Sequence, residues 1–147
     1  MIKISTKGRY AARFMLYLAV NSKQNPILLR EIAHNEGVSE GYLEHVIPLL
    51  KSAGLIISSR GAKGGYALSR QPENITLLEI IEATEGPIQL VECVAPNSQC
   101  EKISVCVTRS IWKKLSDDMS KSLKNISLKD MMDMYENNNR LVQDYVI

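Results

Sequence analysis

Apolar residues recur at helical spacing over most of this chain, and the places where the stripe stops divide it into short elements. Tyr10, Phe14, Tyr17 and Leu18 fall on one face of a helix expected from about Thr6 to Val20. Leu29, Ile32 and Ala33 give a shorter second helix its inner face, Gly37 supplies a turn, and Ser39 stands where an N-cap opens a third. That third helix carries Tyr42, Leu43, Val46, Ile47 and Leu50 and stops at Gly54, a residue suited to a left-handed C-terminal cap. Pro48 inside it removes a backbone donor and predicts a kink, which puts the expected base contacts before residue 48. Leu55 to Ser59 and Tyr66 to Leu68 then read as short strands, joined by Arg60, Gly61, Ala62, Lys63, Gly64 and Gly65, a basic loop with few side chains.

Past this hairpin, Thr76 and Glu79 match a capping box ahead of Leu77, Ile80 and Ile81, predicting a helix that runs to Glu85 and ends at Gly86 and Pro87. Residues 88–103 lose periodicity. From about Ser104 to Asn125 a long amphipathic helix returns, with Val105, Thr108, Trp112, Leu115, Met119 and Leu123 near one face. Ser127 and Asp130 form a cap-like pair before Met131, Met134, Tyr135, Leu141 and Tyr145, a stretch that Asn137, Asn138 and Asn139 are expected to break or fray.

This order predicts a mainly α fold with a small β-hairpin wing, a winged helix-turn-helix with a long dimerisation helix. The boundaries expected are 1–86 for the DNA-binding domain, 87–106 for a cysteine-bearing loop, 104–126 for the dimerisation helix and 127–147 for a C-terminal helical tail. A long helix needs a partner for its apolar stripe, and beyond a small core the partner expected is a second copy, making a homodimer. No run approaches the roughly 18 apolar residues of a membrane span, and the N-terminus lacks a signal-peptide pattern, so the expected location is cytoplasmic.

Charge sharpens the picture. The net charge of +2 conceals ten Lys/Arg against four Asp/Glu in residues 1–70, or +6, and eight against twelve in residues 71–147, or −4. The basic half holds the helix-turn-helix, as electrostatic attraction to double-stranded DNA requires. At the start of the third helix, Ser39, Glu40, Gly41 and Tyr42 offer backbone N–H groups, a hydroxyl and a phenol to phosphates or base edges. Glu44 and His45 follow one turn in. A carboxylate repels phosphate, so at a DNA surface Glu44 is expected to accept from a cytosine N4 and to set specificity rather than affinity. Arg60 and Lys63, with Gly64 between the wing glycines, suit phosphate or a narrow minor groove. No nucleotide-binding glycine loop and no paired acid-base constellation points to an enzyme.

The three cysteines, Cys93, Cys100 and Cys106, fall within 14 positions of a 147-residue chain. Thiolates are soft ligands for iron-sulfur clusters or zinc. Zinc fits less well, because the spacings are long and neither His34 nor His45 is near in sequence. A thiol redox switch and three unliganded thiols are the other readings.

Several segments together resemble a known family. They are Lys3-Ile4-Ser5-Thr6-Lys7-Gly8-Arg9-Tyr10-Ala11, Ser39-Glu40-Gly41-Tyr42-Leu43-Glu44, Ala53-Gly54-Leu55-Ile56, Arg60 through Leu68 at the wing, and Glu85-Gly86-Pro87 before the cysteines. Over residues 1 to about 125 the chain is similar to the winged-helix transcription regulators typified by the iron-sulfur cluster regulator IscR, relatives of the nitric-oxide sensor NsrR and the cysteine-metabolism repressor CymR. The resemblance implies that Ser5, Lys7, Arg9 and Tyr10 belong to a helix that contacts the DNA backbone. It also implies that Cys93, Cys100 and Cys106 hold an iron-sulfur cluster, two-iron in the IscR case and four-iron in the nitric-oxide sensor. The IscR-type pattern has histidine three residues after the last cysteine; here Arg109 stands there and cannot ligate. A second family solution, an acidic residue near the partner's N-terminus, meets Arg9. The fourth ligand is left open among Glu92, Glu101, Thr108, the other subunit and solvent.

The function expected is therefore a homodimeric regulator of a pseudo-palindromic operator, controlled by the cluster. The alternatives are a cluster-free regulator switched by thiol oxidation or a partner enzyme, and an iron-sulfur protein that does not bind DNA.

Overall fold

The computed structural model describes residues 3–21, 26–61 and 64–144, and the side chains among these up to residue 140. Helix α1 (Thr6–Val20) opens on Ser5, whose hydroxyl accepts the Gly8 amide. It sends Ala11, Phe14, Met15, Leu18 and Ala19 into the core. Helix α2 (Leu29–Glu36) and helix α3 (Glu40–Ser52) form the helix-turn-helix, with Gly37 in the left-handed conformation between them. Ile32 and Ala33 of α2 face Leu43, Val46, Ile47 and Leu50 of α3.

The end of α3 shows how local sequence fixes a boundary. Gly54 takes φ +69°, its amide reaches the Lys51 carbonyl, and the Leu55 amide reaches Leu50. These two bonds satisfy carbonyls that the helix leaves open, and buried Leu50 and Leu55 supply the accompanying apolar pair. Pro48 occupies the exposed side of α3, which continues through it to Ser52. Strands β1 (Ile56–Ser59) and β2 (Gly65–Leu68) pair antiparallel as the wing, Ile56 opposite Leu68 and Ser59 opposite Gly65. Ile27 exchanges two backbone hydrogen bonds with Tyr66, which ties the wing's root to the segment before α2. Gly65 has no alternative there, because a Cβ would overlap the Ile27 carbonyl.

Helix α4 (Leu77–Glu85) begins with the full capping box: the Glu79 amide bonds the Thr76 hydroxyl, and the Glu79 carboxylate returns to the Thr76 amide at 2.8 Å. Burial pushes the Glu79 carboxyl up, but the Thr76 amide and hydroxyl and the Arg70 guanidinium outweigh it and hold the group below its ordinary range. Helix α5 (Val107–Lys124) starts three residues later than the periodicity suggests. The preceding carbonyls of Cys100 and Lys102 are spent on turns with Ile103 and Val105, and Cys106 is extended. Helix α6 (Leu128–Asp144) is capped by Asp130, whose carboxylate accepts the Ser127 amide and hydroxyl.

Two expectations change. Asn137, Asn138 and Asn139 do not interrupt α6, which runs on to Asp144. Each asparagine costs only a fraction of a kcal/mol in propensity, roughly 0.7 at most, against a helix already anchored at its start. The segment expected as a tail also joins the core, since Leu128 is fully buried and Met131 and Met132 pack against the same cluster. Paired backbone bonds, Leu77 to Ile126 and Leu128 to Ile75, lock the starts of α4 and α6 together. Leu141, as a side chain, and Tyr145 lie outside the described residues.

If α6 is part of the DNA-binding domain, Leu128→Ala lowers unfolding stability by about 2–5 kcal/mol, the range for emptying a buried leucine site. Urea denaturation followed by circular dichroism reads this directly; a change under about 1 kcal/mol would show that the helix is dispensable.

Candidate nucleic-acid interface and cysteine segment

Burial divides α3 cleanly. Leu43, Val46, Ile47 and Leu50 are inside, while Glu40, Gly41, Glu44, His45 and Pro48 form the outward row. Ser39 caps the helix by accepting the Tyr42 amide, which uses one acceptor site of its hydroxyl and not the proton. Tyr42 is half-buried: its ring meets Tyr10 edge to face, with centroids 5.4 Å apart and planes at 68°. Arg13 lies over the same Tyr10 ring at 5.1 Å and binds both the carboxylate and the backbone carbonyl of Glu36, at 2.6 and 2.9 Å. Tyr10 and Tyr42, candidates for DNA contact, thus also fasten α1 to the start of α3. Sequence spacing gives no sign of this junction, since Tyr10 and Tyr42 belong to different helical stripes.

The wing stands beside this row. Arg60 and Gly61 are exposed, whereas Gly64 is buried and gives its amide to Gly61. A Cβ on Gly64 would approach the Gly61 carbonyl oxygen to 2.9 Å, so this glycine serves the turn itself. Lys63 and Ala62 lie outside the described residues. Lys51, absent from the candidates above, donates to the Ser58 hydroxyl at 2.9 Å and links the exposed side of α3 to β1. Along α1, Lys7 and Ser5 are half-buried and Arg9 is exposed, its guanidinium 3.4 Å from the Thr6 hydroxyl. Glu40 and Glu44 are both exposed, as are the basic Arg9 of α1, Lys51 of α3 and Arg60 of the wing.

The cysteines lie in the segment that joins α4 to α5. Cys93 sits in a one-turn helix, Glu92–Val94; Cys100 is exposed; Cys106 is the N-cap of α5. Cys106 Sγ is 3.2 Å from the Thr108 hydroxyl, and this bond, followed by the Arg109 amide, lowers the thiol's pKa. The first turn of α5 has no carboxylate of its own, so a Cys106 thiolate is the anion that its amides favour. Arg109 donates Nε to the Cys93 carbonyl at 2.8 Å, closing the segment onto the helix. Ser116, buried midway along α5, accepts the Leu90 amide and fastens the segment's other end.

As a donor set, three thiols on one segment suit an iron-sulfur cluster. Their geometry is not that of a finished cage: among the described residues, no three His, Cys, Asp or Glu side chains are gathered as a metal-holding group. Cys93 and Cys100 line one open concavity of about 430 Å³ with Glu92, whereas Cys106 is engaged by Thr108. Of the fourth-ligand candidates, Glu92 is at that concavity, Thr108 is committed to Cys106, and Glu101 is exposed in the turns that follow Cys100.

A recognition helix with a polar outward row, set beside a basic wing, defines a winged-helix DNA-binding protein. The model of the Rrf2 family, described as an iron-dependent transcriptional regulator, matches residues 4–134, and the chain belongs to this family. It is similar to protein rrf2 of Nitratidesulfovibrio vulgaris, 36% identical over 89% of this chain and 87% of that protein. It is likewise similar to the HTH-type transcriptional regulator IscR of Vibrio campbellii, 36% identical over 89% of this chain and 77% of the relative. Among solved structures, CymR (YrzC), the global cysteine regulator of B. subtilis, superposes with a TM-score of 0.76 at 39% identity, covering 91% of this chain and 98% of CymR. T. potens IscR gives 0.76 at 36% identity over 93% and 90%. These relatives are regulators of transcription, not enzymes. No described helix is long and apolar enough to cross a membrane.

The Tyr10–Tyr42 junction is testable by a double-mutant cycle. Tyr10→Ala and Tyr42→Ala are each expected to destabilise, with a coupling of about 0.5–1.5 kcal/mol beyond area burial. Additive losses would mean that the rings touch without holding the helices.

Proposed function

We propose that this regulator binds a pseudo-palindromic operator as a homodimer, and that an iron-sulfur cluster on Cys93, Cys100 and Cys106 sets its grip on DNA. The observation that carries the DNA half is the outward polar row of α3, linked through Lys51 and Ser58 to a wing whose Arg60 is exposed. In this reading Ser5, Lys7, Arg9 and Arg60 hold phosphates, with Lys63 joining them from the wing tip, while Gly41, Glu44 and His45 face base edges.

Dimerisation is supported by α5. Val107, Ile111 and Leu115 repeat every four residues and are 75%, 51% and 44% exposed, with Trp112 beside them. Each apolar side chain moved out of water there contributes roughly 1 kcal/mol or more. A second α5 offers the matching surface by symmetry, and a twofold dimer presents two recognition helices to half-sites about 34 Å, or a multiple, apart.

The three thiols, the family's description as iron-dependent and the IscR relatives support the cluster. When bound it supplies iron whose state responds to oxidants and small ligands. Two-iron binding is favoured by the IscR likeness, with a four-iron cluster as the alternative. A second reading, a regulator of the same kind without a cluster, is favoured by two observations: among the described residues the thiols are not gathered, and the Thr108 hydroxyl and Arg109 amide lower the pKa of the Cys106 thiol.

Two measurements check these readings. On a selected operator, Arg60→Ala is expected to weaken binding across many sequences and to flatten the salt slope by about one unit. Glu44→Ala should instead hold or raise non-specific affinity while discrimination at one base pair relaxes by roughly 1–3 kcal/mol. An asymmetric footprint, or an unchanged Arg60→Ala slope, sinks this docking. For the cluster, protein isolated without air should be coloured and contain iron and sulfide, and Cys100→Ala should lose both. Colourless parent protein after reconstitution with iron and sulfide points to the thiol-switched alternative.

A further inference from the structure

The first turn of α1 contains no acidic residue, although the free amides there favour a negative charge. That charge arrives from 80 positions away. Ser5 accepts the Gly8 amide and donates its own proton to Oε1 of Glu85, the last residue of α4. Gly8 is buried under the same oxygen, and a Cβ on it would stand 2.9 Å from Glu85 Oε1 and 3.0 Å from Ile4. Glycine at position 8 is what allows the carboxylate to rest against the helix.

Two parts of the molecule meet at this contact. One is the DNA-reading end: Tyr10, on the next turn of α1, is fastened to Tyr42 at the start of α3. The other is the cysteine segment, which departs immediately after Glu85 through Gly86 at φ +80°. Residues 86–90 of that segment share a groove with Lys3 and Ile4, just ahead of Ser5.

We propose that Glu85 is a positioning residue that restrains DNA binding, by holding the one hydroxyl proton of Ser5 and a negative charge at the start of α1. This rests on the DNA reading above, in which Ser5 meets phosphate. A serine hydroxyl has a single proton, and while Glu85 accepts it no phosphate oxygen does. The carboxylate also repels the phosphate that the α1 amides would attract. The same contact supports the free fold, so Glu85 acts with opposite sign on stability and on DNA affinity. Because Glu85 is joined directly to Gly86, a shift of the cysteine segment that withdraws it releases the proton and removes the charge together.

The test compares the full-length parent with Glu85→Ala, Glu85→Gln, Ser5→Ala and the Ser5→Ala/Glu85→Ala double variant. Binding to a random-sequence duplex is measured by fluorescence anisotropy at two salt concentrations, beside thermal unfolding. Glu85→Ala is expected to bind about three- to tenfold more tightly at low salt, while its midpoint falls by about 2–8 °C. Glu85→Gln, which keeps an acceptor for Ser5 but loses the charge, gains less. In the Ser5→Ala background the gain from Glu85→Ala shrinks to about half or below. A purely structural residue would lower affinity and stability together, and that result overturns the proposal, as does unchanged affinity. An undiminished gain without Ser5 overturns it too, since charge alone would then act. Should Glu85→Ala fail to fold, a folded Glu85→Gln protein with no gain is equally decisive. A parent that binds no duplex refutes the DNA reading itself, whereas a parent that binds, with Arg60→Ala weakened and Glu85→Ala unchanged, refutes only this inference.

Discussion

The burial of α1 is the constraint on which the rest of the structure depends. Ala11, Phe14, Met15 and Ala19 are fully buried, and their helix touches α2, α3, α4, α6 and β2. Small residues make this enclosure feasible: Gly8, Ala11 and Ala19 let neighbours approach where larger side chains would hold them off. Phe14 then fills the space toward the wing, meeting Tyr66 edge to face at 6.0 Å. The recognition helix, the wing and α6 consequently take their positions from one central helix. A displacement of α1 cannot be confined to one of them, because a close-packed interior transmits volume changes to every element in contact.

That arrangement explains why α5 is the odd element. It is 18 residues long, yet Ser116 is its buried residue, and half-buried Met119 and Leu123 mark the part nearest α4. The first half carries apolar side chains into solvent while Lys113–Asp117 and Lys114–Asp118 pairs occupy other positions. Those pairs are exposed and screened by solvent, and contribute too little to account for a helix of this length. Tertiary cover for its apolar positions is what makes such a helix stable. The unpaired surface is therefore where association with a second copy would be decided.

Local rules were the most legible part of the chain. The helix-turn-helix, the stop at Gly54, the capping box at Thr76 and Glu79 and the cap at Ser127 and Asp130 each depend on residues within about five positions. Their physics is contained in the motif, so the motif suffices. Asn137 to Asn139 misled because propensity is a weak term that an anchored helix overrides. Contacts between distant segments left no periodic signature: Ser5 with Glu85, Tyr10 with Tyr42, Lys51 with Ser58 and Arg109 with Cys93. For the candidate site, the outward face of α3 was readable from its apolar complement. The clustering of the cysteines was readable as well, but their lack of convergence was not, because spacing constrains reach and not direction.

Arg109 shows what that difference means for the chemistry of the segment. Its place in the IscR-type pattern belongs to an imidazole, yet a guanidinium is always protonated and donates only. Here it spends Nε on the Cys93 carbonyl, and Ser116 and Thr108 make comparable bonds to Leu90 and Cys106. The segment is thus held at both ends by hydrogen bonds to the protein's own groups. Drawing Cys106 into a cluster would compete with its bond to Thr108, and drawing in Cys93 would pull on the carbonyl held by Arg109. If a cluster binds there as proposed, these shared hydrogen bonds would link its binding to the conformation of the segment. In the cluster reading proposed above, a segment held in this way at its α5 end, and continuous with Glu85 at its α4 end, would join cysteine chemistry to the start of α1.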